Sequence, residues 1–233
     1  MKDKRLASQL DFILEIDKLK QVYRQTYLLD YSRKENDAEH SWHLAVMALL
    51  LTEYAGEDLD LLKLIKMVIL HDLVEIDAGD SFCYDEEANC GKEEREQKAA
   101  DRIFSLLPAD QGNEFRRLWE EFEARESPEA RFAAALDRLQ PLLHNYHTRG
   151  KSWQEHGINR DQVILRNSHM EEGSPALWEY AATLIRDAVD KGYLAENTEG
   201  PGNNGGCRKG NTGVIGDKSR DKELDEGRDG SDG

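Results

Sequence analysis

The segment HDLVEIDAGD, residues 71–80, follows the almost wholly apolar run LLKLIKMVIL. It sets one imidazole beside four carboxylates, Asp72, Glu75, Asp77 and Asp80. Like charges at that density repel one another, and a cation in their midst would make the cluster tolerable. Neighbouring helical residues point about 100° apart, yet His71 and Asp72 fall where the apolar helix ends, so their side chains can bend into one cleft. His40 lies early in the preceding helical stretch, NDAEHSWHLAVMALLL. If the two helices pack antiparallel, His40 and His71 meet at one end. In RFAAALDRLQPLL, Asp137 is the acid that follows the apolar stretch from Phe132 to Leu136. A buried carboxylate is costly unless paired or bound to a metal. Two imidazoles and two carboxylates form a mixed N/O donor set. It suits Mn, Fe, Co, Ni or Zn better than Ca or a thiol-seeking metal. His43, three residues after His40 and on the same face, is expected to pack or hydrogen-bond nearby, and His144 and His147 to line or flank the cleft.

The elements that must carry these groups have a helical period. Residues 6–25 place Leu6, Leu10, Ile13, Leu14, Ile16 and Leu19 on one broad face. Residues 38–55 form a second helix, capped by Asn36 or Asp37. Residues 58–72 form a third, nearly all apolar and so central. Further helices are expected at 92–107, ending at Pro108, at 110–125, at 128–147 with Pro128 in the first turn, and at 159–171 and 174–191. No stretch alternates with period two for long, so no sheet is expected. The prediction is an all-α single domain over residues 1–196. From Asn197 on, the chain holds 10 of its 18 glycines and no aromatic residue. Such a segment buries too little apolar surface to offset its ordering entropy, and 197–233 reads as a disordered tail.

Bulk composition narrows the function. A formal net charge of −16 argues against a sequence-independent grip on a nucleic-acid polymer, which needs a basic surface. No apolar run is long enough to span a bilayer, and the acid-bearing N-terminus is a poor signal peptide. Three cysteines, Cys83, Cys90 and Cys207, are too few and scattered for a disulfide framework and read as free thiols of a cytoplasmic protein.

The order His40, His71-Asp72, Asp137 resembles the HD-domain metal-dependent phosphohydrolases. The segments LKQVYR (19–24), ENDAEHSWHLA (35–45), HDLVEIDAGD (71–80) and SPEARFAAALDRLQPLL (127–143) are similar to the branch holding the bacterial 5′-deoxynucleotidases and their eukaryotic relatives. The likeness covers roughly residues 6–191. It implies an HD-domain helical bundle in which His40, His71, Asp72 and Asp137 bind one divalent ion (Mn, Co, Fe, Ni, Zn or Mg). It implies that Glu75 and Asp80 act on the attacking water or the leaving oxygen, that Arg24 binds the phosphate of a small phosphate ester, and that the protein is a homodimer. The chemistry is consistent: a cation neutralises charge and acidifies water, Glu75 lies within a turn of the ligand pair, and an arginine offers a fork for a dianionic phosphate. One position departs from the pattern. Where the deoxynucleotidases carry a tryptophan after the arginine, helping to select the 2′-deoxy sugar, this chain has Gln25, and the loop to His40 is about one residue longer.

The function expected is a phosphomonoesterase acting on (deoxy)nucleoside 5′-monophosphates. An HD-fold di-iron oxygenase would need additional histidines between the HD pair and the last aspartate, and Leu73–Leu136 contains none. Hydrolases of triphosphates or alarmones usually carry extra basic segments. A non-catalytic scaffold would not need Glu75 beside a complete ligand set. Asp77 is assigned to solvent, and Gly79 to the turn that lets Asp80 point back.

Overall fold

The computed structural model describes residues 2–80, 84 and 91–197. Cys83, Cys90 and the Gly-rich segment from residue 198 onward, including Cys207, lie outside the described residues. The elements are α1 (Lys2–Glu15), a 3-10 turn (Ile16–Gln21), β1 (Tyr23–Tyr27), β2 (Lys34–Asn36), α2 (Asp37–Leu51), α3 (Leu61–Leu70) and a 3-10 turn (His71–Val74). There follow α4 (Glu75–Ala78), α5 (Lys92–Phe104), α6 (Ala109–Ala124), α7 (Pro128–His147), α8 (Lys151–Glu155), α9 (Arg160–Asn167), α10 (Met170–Gly173) and α11 (Pro175–Asp190). The all-helical expectation holds for the bundle.

Two sequence expectations need correction. The helix expected over 6–25 stops at Glu15, and β1 pairs antiparallel with β2 in a small hairpin. YRQTY, with its two aromatic residues and a threonine, favours an extended backbone, and five residues are too few for an alternation to stand out. The helix expected over 159–171 divides into α9 and α10.

Local chemistry sets the boundaries. Asn36 and Glu39 form a capping box at the start of α2, and the Asp60 side chain accepts from Leu62 N and Lys63 N to start α3. Ser127 and Ser174 cap α7 and α11 ahead of Pro128 and Pro175, in keeping with the preference for proline in a helix's first turn.

The longest helix, α7, is the axis of the core and packs on α2, α3, α6, α10 and α11. Leu44, Leu64, Met67, Phe132, Leu136 and Ile185 are wholly buried around it. At the α10 contact the backbone of Gly173 comes so near Arg131 that an added Cβ would lie 2.3 Å from the Arg131 carbonyl oxygen. Pro141 falls inside α7, four residues after Asp137. It has no N–H to return to the Asp137 carbonyl, so the ladder is interrupted on the turn that bears Asp137 and Gln140.

Candidate active site

The start of α2 and the end of α3 come together, and the rings of His40 and His71 lie 5.5 Å apart. At His71 the chain tightens from α to 3-10 winding, which brings two adjacent side chains to one place: His71 Nε2 is 3.1 Å from Asp72 Oδ1. From α7, Asp137 Oδ1 reaches within 3.0 Å of His40 Nε2 and 3.7 Å of His71 Nε2. His40 Nε2 is 4.0 Å from Asp72 Oδ2. All four residues are buried. Separations of this size are those of neighbouring donors around one ion with bonds of about 2.1 Å.

The hydrogen bonding of the rings tests whether a cation fits. His71 Nδ1 donates to the Val68 carbonyl at 3.0 Å, which leaves Nε2 as a lone pair, and that buried atom has no hydrogen-bond partner among the described residues. His40 faces an acceptor at each nitrogen, Gln140 Oε1 at 3.0 Å and Asp137 Oδ1 at 3.0 Å. Burial, with Arg24 nearby, lowers its pKa to about 4, so near neutral pH the ring has a single N–H for two acceptors. A cation between Nε2 and Oδ1 removes the conflict. Burial alone would raise Asp137, but Arg138, with the His40 and His71 rings beside it, outweighs burial and holds that carboxylate well below its usual range. Asp137 is thus an anion, with Oδ2 on Arg138 Nη2 at 2.9 Å.

Arg24 arrives from β1, not from a helix. Its Nη1 lies 3.0 Å from Asp72 Oδ2 and 3.3 Å from Asp37 Oδ1, and its Nη2 is 3.8 Å from Asp137 Oδ1. Burial would weaken its charge, but Asp72, Asp137, Asp80 and Asp37 more than compensate and raise it further. Glu75 is buried, and its pKa is pushed well up by burial and by Asp72, Asp37 and Asp80. Asp80 follows Gly79, whose φ of +75° is open to glycine at little cost, and burial raises its pKa as well. Asp77 points away and pairs with Arg102 on the exposed side. These groups open onto a cavity of about 700 Å³, walled by Trp119 and Phe122 from α6, Leu142 from α7 and Trp153 from α8, with Gln25 at the Arg24 strand.

All seven residues singled out from the sequence, Arg24, His40, His71, Asp72, Glu75, Asp80 and Asp137, therefore converge on one region. Three others at the site were missed. Asp37, read only as a cap candidate, is fully buried beside Asp72 and Glu75, its pKa raised to about 7 by burial and by Asp72. Glu35 and Gln140 are buried next to His40. Asp37 and Gln140 each stand three residues from a predicted ligand, His40 and Asp137, and hence share its helical face; that spacing was the available signal. His43 hydrogen-bonds nearby as expected, through Gln140 at 3.4 Å. His144 is buried in the same network instead of lining the cavity.

Residues 16–178 match the HD domain family. A solved structure described as a predicted metal-dependent phosphohydrolase from Magnetospirillum magnetotacticum MS-1 is 55% identical, with a TM-score of 0.81 over 84% of this chain and 98% of that one. The PH0347 protein of Pyrococcus horikoshii OT3, 24% identical with a TM-score of 0.57 over 76% of this chain and 98% of that one, shares the fold. Among curated proteins, the 5′-deoxynucleotidase HDDC2 of Homo sapiens is 31% identical over 137 residues, covering 58% of this chain and 66% of the human protein. The match thus spans just under two thirds of that relative's length. With the family match extending over most of the chain and the His–His-Asp–Asp set gathered at one place, the chain belongs to the HD domain family.

Proposed function

We propose that the protein is a metal-dependent phosphomonoesterase that releases phosphate from (deoxy)nucleoside 5′-monophosphates. The observation that carries this reading is the convergence of His40, His71, Asp72 and Asp137 beside the buried guanidinium of Arg24, with His71, Asp72, Asp137 and Arg24 on the wall of a cavity large enough for a nucleotide. The four residues would hold one divalent ion. When bound, that ion supplies Lewis acidity, polarising the phosphoryl group and acidifying water.

The remaining steps belong to side chains. Arg24 neutralises and orients the dianionic phosphate; its buried Nε–H has no hydrogen-bond partner among the described residues. Glu75 Oε2, buried and likewise without a partner, accepts the proton of the water that attacks phosphorus. Asp80, with its raised pKa, returns a proton to the leaving 5′ oxygen as the P–O bond breaks, giving nucleoside and inorganic phosphate. A carboxyl shifted toward neutral pH is suited to such transfers. Trp119, Phe122 and Trp153 exclude water and offer apolar surface to the base.

The finer attributes are part of the same proposal. The protein is proposed to be cytoplasmic; no helix among the described residues is long and apolar enough to cross a membrane. A homodimer is supported by the outer face of α2, where Trp42, Leu49 and Leu50 stand 67%, 56% and 66% exposed at helical spacing. The decisive experiment is a phosphate-release panel of ribo- and deoxyribonucleoside monophosphates with Mn²⁺, Co²⁺ and Mg²⁺, with metal analysis of the same samples. Activity that vanishes in Asp72→Ala, with about one ion per chain, is expected. Silence across the panel in metal-loaded protein would mean that the substrate class is wrong, and two irons per chain would sink the single-ion reading.

A further inference from the structure

Behind His40, away from the cavity, lies a buried polar group that the proposed reaction does not use. Gln140 is fully buried. Its Oε1 faces His40 Nδ1 at 3.0 Å. Its Nε2 donates to Glu35 Oε1 at 2.7 Å and lies 3.2 Å from His144 Nε2 and 3.4 Å from His43 Nδ1. Glu35, His43 and His144 would by themselves make a plausible second cation site. The amide nitrogen of Gln140 sits among their three donor atoms, however, and fills the position an ion would take.

That placement fixes which way the amide points. Rotating it by half a turn would set Oε1 against the Glu35 oxygen at 2.7 Å and remove the donor facing His144. Glu35 Oε1 can accept whether or not Oε2 is protonated, so the orientation does not depend on the ionisation of Glu35. With Oε1 held toward His40, the ring must present Nδ1–H there, since a bare Nδ1 would face the carbonyl lone pairs at 3.0 Å. The Nε2 lone pair is then left for the cleft.

We propose that Gln140, anchored by Glu35, is a positioning residue that holds His40 in its Nδ1–H tautomer, so that Nε2 is always ready for the divalent ion. The proposal rests on His40 being a metal ligand. Outer hydrogen-bond partners of this kind orient a ligating imidazole and typically change metal affinity 10–100-fold. Glu35, Gln140 and His40 thus form a chain of acceptor, amide and ring that ends at the metal-binding atom.

The test is the Mn²⁺ dissociation constant of the full chain, measured by chelator competition, alongside the melting temperature of the metal-free protein. Gln140→Met, similar in shape but without the amide, should weaken Mn²⁺ binding by about 10–100-fold. The exchange Glu35→Gln with Gln140→Glu restores an amide–carboxylate pair and an acceptor for His40, and should bind within about threefold of the unmodified chain. A packing role alone would move the melting temperature without this loss and rescue. Gln140→Met binding within threefold of the unmodified chain, or an exchange variant as weak as Gln140→Met, would overturn the proposal. Should Gln140→Met not fold, the unmodified chain without metal decides: the nitrogen-15 shifts of the His40 ring should show a protonated Nδ1 and a bare Nε2, and the Nε2–H tautomer overturns it. If the unmodified chain binds no divalent ion, the metal site and this proposal fall together; if it binds and Gln140→Met binds equally, only this proposal does.

Discussion

Arg24 Nη1 and Asp72 Oδ2 lie 3.0 Å apart, joining a strand of the hairpin to the turn that carries the His-Asp pair. On the proposed reading, the contact would let a chain of net charge −16 receive a phosphate among its carboxylates. The arginine is held inside by the same carboxylates that a cation would share. Arg24→Ala should lower kcat/KM for a nucleoside monophosphate by about 10²–10³, the size expected for loss of a charge-assisted donor at a reacting phosphate. Arg24→Lys should recover only part of this, because an ammonium lacks the fork. Steady-state kinetics on both variants, with metal saturating, checks the pair.

Asp72 supplies a donor atom to the proposed ion and is also the nearest partner of Arg24. For the unmodified chain, a divalent ion at 100 times its dissociation constant should stabilise the fold by about 2.7 kcal/mol. Asp72→Asn should abolish that metal-induced rise in melting temperature together with the activity. Scanning calorimetry with and without Mn²⁺ reads the first. An undiminished rise in the variant would remove Asp72 from the ligand set.

Much of this site was legible because its chemistry is carried by residue types that are costly to bury without a partner. A carboxylate after FAAAL and an imidazole at the end of LLKLIKMVIL stand out against apolar neighbours, and the structure brings both to one place. The hairpin was not legible. YRQTY is too short for its alternation to compete with the helical period before it, and its pairing to KEN is set by tertiary contacts. Asp37 and Gln140 were hidden for another reason. An aspartate at a helix start has an ordinary explanation in capping, and a glutamine has no charge to betray its burial. Only the fold shows that Asn36 does the capping while Asp37 turns inward.

Gln25 borders the cavity next to Arg24, at the position where the sequence departs from the tryptophan that its resemblance to the deoxynucleotidases implies. Gln25→Trp should raise the ratio of kcat/KM for deoxyribo- over ribonucleoside monophosphates by about 10-fold, the scale on which an apolar contact rejects an added hydroxyl. Competition assays between a matched pair of monophosphates give the ratio directly, and an unchanged ratio would show that this strand does not touch the sugar.

Gly150 stands at the N-cap just before α8 with φ of +71°, and a Cβ there would lie 1.8 Å from the Tyr193 carbonyl oxygen. Both the left-handed backbone and the backbone contact forbid a side chain. Gly150→Ala should destabilise the fold by more than about 2 kcal/mol, seen as a lower denaturation midpoint in urea. Gly157→Ala, also at positive φ but with open space around the position, should cost less, about 1 kcal/mol.

Metal affinity should depend on pH through the buried carboxyls and through His71, whose pKa burial would lower but Asp72 and Asp137 raise, and not through His40. His40 ordinarily would titrate near 6.5, but burial, with Arg24 nearby, lowers it to about 4, so protons do not compete for that ring above about pH 5. Burial and Asp72 instead raise Asp37 to about 7, and burial raises Glu75 as well. A cation beside these groups favours their anions, so binding below pH 7 must expel protons, and proton competition weakens the complex as pH falls. The Mn²⁺ dissociation constant should therefore fall as pH rises from 5.5 through about 7. Asp37→Asn, which has no proton to lose, should shallow that slope by about one proton per ion bound. Isothermal titration in two buffers of different ionisation enthalpy counts the protons. A slope unchanged in Asp37→Asn would place the titrating group elsewhere.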